Sequence, residues 1–257
     1  MNAAMIDKLV EAVLYEGYVL YPYRPSSVKN RHRWTFGGIY PRAYSEATAG
    51  SDPWFMQAQC LIAGSPNPSI QVAVRFLQPT NRTTLPEGHT WQEAIERRID
   101  VGRVQVKDVV EGPLRHEFAF AAQRAVEPRA DADGSILREQ HAISGVVLIR
   151  AERESSDLFR LTVRVENYTE ALATVAANRE AASLDSFAST HFILGAKAGE
   201  FVSLTDPPAA LARIAGECQN IGCWPVLVGA PGETDALLAS PIILSDYPEV
   251  AAESPGD

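Results

Sequence analysis

The residues best equipped for recognition chemistry run from Tyr21 to Trp34, reading Tyr-Pro-Tyr-Arg-Pro-Ser-Ser-Val-Lys-Asn-Arg-His-Arg-Trp. Pro22 and Pro25 pre-set the backbone, and the rings of Tyr21, Tyr23 and Trp34 are anchors that lose little entropy on binding. Arg24, Arg31 and Arg33 add planar forks of donors, with Lys29, Asn30 and His32 between them. From Arg24 to Arg42 there are five Lys or Arg and no acid. That chemistry suits a partner carrying carboxylates or other anions. The same residues are also compatible with tyrosines packed on a sheet and cations facing water, so both readings stand at this point. A smaller polar and aromatic cluster, Ser245-Asp-Tyr-Pro248, follows an apolar stretch. Its Asp246 and Tyr247 either line the same groove or simply end a strand.

Other chemistries have weaker footing. Cys218 and Cys223 are the best metal or redox candidates, with Cys60 and His191 as distant ligands. Their spacing is wider than the C-x-x-C of most zinc and redox sites, and Cys218 falls in the last turn of an apolar-faced segment where a small thiol is ordinary packing. No metal or other cofactor is expected. There is no G-x-S-x-G nucleophile turn, no phosphate-binding Walker loop and no H-E-x-x-H zinc helix. The five histidines lack the i, i+4 spacing that sets two on one helix face; His32 and His191 merit testing.

The formal charge of −9 argues against nucleic acid as a partner, since such binding depends on neutralising phosphates. The charge is also uneven: Asp185 to Asp257 holds ten acids against Lys197 and Arg213, a net of −8. Three cysteines make no disulfide framework, and no apolar run reaches the roughly 20 residues of a membrane span. A cytoplasmic protein is expected.

These candidates need elements to position them. Met5, Ile6, Leu9, Val10, Val13 and Leu14 recur at helical spacing, predicting an amphipathic helix over residues 3–16. Period-two patterns predict strands over 54–63 and 69–77, joined as a hairpin across Gly64 to Pro68, then over 103–110, 114–122, 143–151 and 158–165. Thr90 with Glu93 reads as a capping box for a short helix between them. Further along, residues 170–182 read as a helix or connector, and 191–194 with 200–204 as a hairpin. Asp206 caps a helix ending near Gly222, and strands follow at 224–228 and 242–244. The fold class expected is α+β, an antiparallel β-rich sandwich or twisted sheet with a few peripheral helices. It divides into a β-rich part over 1–168, a connector over 169–188, and a smaller acidic α+β part over 189–257.

The sequence resembles a bacterial protein family encoded in NiFe-hydrogenase gene clusters, beside hydrogenase subunits and maturation proteins. The resemblance rests on the stretch from Tyr15 to Gly38, on Ser189-Thr-His-Phe-Ile-Leu-Gly195 with Glu200 to Leu204, and on Ser240 to Leu244 with Asp246-Tyr-Pro248 and Pro255-Gly-Asp257. It spans both ends and the middle of the chain. Members of the family continue past Pro-Gly-Asp with an acidic, helical extension, whereas this sequence stops at Asp257. The resemblance implies an accessory role and no catalytic residue or cofactor. The expected function is therefore a non-enzymatic accessory protein binding a hydrogenase subunit or maturation factor through Tyr21 to Trp34. The alternative is an enzyme or small-ligand binder whose groove, shared by the two ends, presents Tyr23, Arg24, His32, Asp246 and Tyr247.

Overall fold

A computed structural model of the chain describes residues 7–14, 37–64, 67–129, 133–170 and 178–249. Strand accounts for 51% and helix for 14%, so the α+β, β-rich expectation holds. The elements in order are α1 (residues 7–14), α2 (Arg42–Ala47), β1 (Phe55–Ala63), β2 (Ser69–Leu85), β3 (Thr90–Gln105), α3 (Val106–Glu111), β4 (Leu114–Phe120), β5 (Gln123–Pro128), β6 (Ser135–Gln140), β7 (Ile143–Arg153), β8 (Leu158–Asn167), α4 (Arg179–Ser183), β9 (Ala188–Lys197), β10 (Glu200–Val202), α5 (Ala212–Gly216), β11 (Trp224–Leu227) and β12 (Ala236–Ser240).

Two antiparallel sheets face each other. One has the order β10-β1-β8-β7-β4. The other is built around the long β2, with β3 along one edge; on the opposite edge β9 pairs as far as Leu77 and β6 from Asn81 onward. β12 and β11 extend this sheet beyond β9, and β5 extends it beyond β6. Alternation makes the core. Met56, Ala58, Cys60 and Ile62 of β1, Phe159 to Val165 at every second position of β8, and Ile70 to Phe76 likewise on β2 all enter one cluster between the sheets. Phe76 stacks on Phe187 at 4.6 Å, with Phe118 5.6 Å from Phe187. The outer faces have their own cover. Leu9, Val10 and Val13 of α1 pack on Ala73, Ile193 and Leu238 of the larger sheet, while Leu211, Ile214 and Ala215 cover Leu61 and Leu158 of the smaller.

Several local expectations are corrected. β1 and β2 are strands but not a hairpin, because they lie in opposite sheets. The same holds for β9 and β10. The two sheet-crossing connections pack together: a Cβ on Gly64 would sit 2.6 Å from the Ala198 carbonyl oxygen and 2.8 Å from Gly199 Cα. Thr90 and Glu93 open no helix. They belong to β3, whose pairing with β2 runs from Thr83↔Thr90 to Ser69↔Gln105, and Glu93 reaches Arg82 and Arg138 instead of a helix terminus. The strand expected over 103–110 stops at Gln105 and becomes α3. The helix expected from Asp206 shrinks to α5, and residues 242–244 are not a strand; Ile242 and Leu244 pack beside α1. Of the helix expected over 170–182 only α4 is described, and residues 171–177 lie outside the described residues.

Candidate functional site

Leu14 and Gly37 are the nearest described residues on either side of the aromatic and basic segment. Leu14, the last described residue of α1, is fully buried against Leu77 and Ala188. Gly37 resumes the chain at φ +54°, a conformation that disfavours any residue with a side chain. A Cβ there would lie 2.6 Å from Pro241 Cγ and 3.6 Å from Ser189 Cα. The Gly37 carbonyl accepts the Thr190 N–H at 3.4 Å, and Ile39 exchanges two backbone bonds with Phe187 at 3.0 and 2.9 Å. Leu14 thus lies beside Ala188 and Gly37 beside Ser189, two adjacent residues of β9. Tyr21, Tyr23, Arg24, Lys29, Asn30, Arg31, His32, Arg33 and Trp34 themselves lie outside the described residues.

Between those two anchors is a polar spot in an otherwise apolar layer. Ser189 is held at φ +48°, a strained conformation for a serine, and its side chain is fully buried. His191, two residues on and equally buried, donates from Nδ1–H to the Ser189 carbonyl at 2.7 Å. That bond leaves Nε2 as the lone-pair nitrogen of a neutral ring. Among the described residues neither His191 Nε2 nor Ser189 Oγ has a hydrogen-bond partner. Burial, assisted by the neighbouring Arg75 cation, pushes the His191 pKa down to about 4. Arg75 is the cross-strand neighbour of His191 and pairs with Glu96 at 2.5 Å and with Asp7 of α1 at 3.4 Å. Arg98 adds a second contact to Asp7 at 3.1 Å. The helix before the segment is therefore fastened by charge as well as by packing. Chemically the spot offers a neutral acceptor and a hydroxyl, with a paired guanidinium alongside.

His191 carries a signal in the sequence, but Ser189 and Arg75 do not: a left-handed serine and a buried arginine look like ordinary strand residues until the pairing of β2 with β9 is known.

Asp246 and Tyr247 sit elsewhere on the C-terminal stretch. The Asp246 carboxylate accepts from Ser203 Oγ at 2.5 Å, Thr205 Oγ1 at 2.6 Å and the Leu227 N–H at 2.8 Å. Tyr247, at φ +56°, donates its N–H to Leu227 and its hydroxyl to the Glu233 carbonyl. These bonds fasten the stretch to β11 and to the end of β10. Among the described residues, the N- and C-terminal parts of the chain meet where Gly37 approaches Pro241 and where α1 packs beside Ile242 and Leu244.

All three cysteines are free thiols. Cys60 and Cys223 are buried and Cys218 partly so, and burial raises the pKa of each. Among the described residues no three His, Cys, Asp or Glu side chains gather in a metal-binding arrangement. No helix among them is long and apolar enough to cross a membrane. Compared with known proteins, the chain matches no family model and no curated sequence.

Proposed function

We propose that this is a non-enzymatic, cytoplasmic accessory protein that assists NiFe-hydrogenase assembly or maturation by binding a protein partner through residues 21–34. One observation supports the binding part of this reading: Leu14 and Gly37, the nearest described residues on either side of the acid-free, aromatic and basic stretch 21–34, pack beside adjacent residues of one strand. Fixing the ends of a binding segment lowers the ordering cost of association, and arginine with tyrosine and tryptophan is the composition of interface anchors. The link to hydrogenase rests on the sequence resemblance alone.

Deleting the gene in its native host and measuring hydrogenase activity and large-subunit processing tests the role. The expected result is loss of activity with accumulation of unprocessed or unassembled subunit. Unchanged activity and processing would contradict it.

A further inference from the structure

An open cleft of about 330 Å³ lies where β6 ends and the chain crosses to β7. Asn81 on β2, Glu139 on β6 and Arg124 on β5 are cross-strand neighbours in register, so their side chains share one face of three strands. His141, the first residue after β6, also lines the cleft. Its Nδ1–H donates to Asp185 Oδ1 at 2.7 Å. Asp185 is itself nearly buried, and its backbone carbonyl accepts Asn167 Nδ2 at 2.8 Å. Behind the ring, the fully buried Gln78 donates from Nε2 to the His141 carbonyl at 2.9 Å and accepts from Arg97 Nε at 2.9 Å. A half-exposed imidazole is thus held in place by a buried carboxylate and a buried amide, with Nε2 making no bond among the described residues.

We propose that this cleft binds a small amino or hydroxy acid, with the ligand carboxylate on Arg124 and His141 Nε2–H and its amino or hydroxyl group on Glu139. Three features select that class. Arg124 is 70% exposed and touches the 45% exposed Glu139 at 3.3 Å, a surface pair worth at most about 1 kcal/mol, so the guanidinium is free to turn to a better-placed carboxylate. Glu139 then becomes an acceptor requiring a donor next to that carboxylate. Among the described residues no Phe, Tyr or Trp lines the cleft, which disfavours nucleobases and sugars that bind by stacking on a large ring. The Asp185 carboxylate raises the pKa of His141, favouring the cationic ring that an anion needs.

Nuclear magnetic resonance titration of the full chain with sodium glycolate and with glycine, against sodium acetate, tests the assignment. Saturable shifts at Arg124, Glu139 and His141 are expected, with glycolate or glycine binding several-fold more tightly than acetate. R124A should weaken binding by about tenfold with the fold intact, since that side chain is largely in solvent. Absence of saturable shifts, unchanged affinity in R124A, or acetate binding as tightly as both other probes would overturn the proposal.

Discussion

His191 and His141 respond to acid in opposite directions. An unfolded chain protonates His191 near pH 6.5, whereas the folded protein does so only near 4. Below pH 6.5 the unfolded state holds the extra proton. Stability that is complete above that pH is therefore lost as the pH falls toward 4, by up to about 3 kcal/mol. His141 gains proton affinity on folding because of its hydrogen bond to Asp185, so its contribution is present in acid and is lost as the pH rises through its folded titration. Its ring is half exposed and the effect is screened, which leaves His191 dominant. Thermal unfolding followed from pH 7 to 4 should show a steep loss of stability in the wild type and a flatter profile in H191Q. Parallel profiles would contradict the assignment of acid sensitivity to this buried ring.

Among the elements, the connection at Gly37 is the clearest example of a position fixed by contacts far along the chain. Its positive φ and the 2.6 Å approach of Pro241 both oppose a side chain. G37A should therefore destabilise the protein by about 1 kcal/mol or more, measured by denaturant unfolding. A neutral substitution would mean that Pro241 can withdraw at no cost. How much of this level was legible in the sequence depended on whether information was local. The alternation of Phe159, Leu161, Val163 and Val165 with polar residues identified β8, because one of its faces enters the core. β5 escaped notice because all six of its residues are exposed and it has no apolar face to display. Thr90 and Glu93 matched a local helix signal, but a ladder against β2 running the length of β3 outweighs one weak cap. The attachment site was less readable still. That Leu14 and Gly37 settle beside Ala188 and Ser189 follows from sheet pairing and helix docking across more than half the chain, which no nearby pattern records.

Over the whole molecule, the final third is woven into both sheets: β9, β11 and β12 extend the larger and β10 the smaller. Leu14 and Gly37, on either side of the basic segment in the sequence, both pack on the sheet that β9 helps to form. On a chain of formal charge −9, a local acid-free stretch suits capture of an acidic patch on a partner, and such capture weakens as salt rises. The most direct measurement is recovery of hydrogenase subunits and maturation proteins with the tagged protein from its native host, compared between the wild type and a variant carrying R24A and R31A. The account predicts that a hydrogenase subunit or maturation protein is retained by the wild type and falls about tenfold in the variant, with unfolding temperature unchanged. Equal recovery by both, or none of these proteins with the wild type, would contradict it.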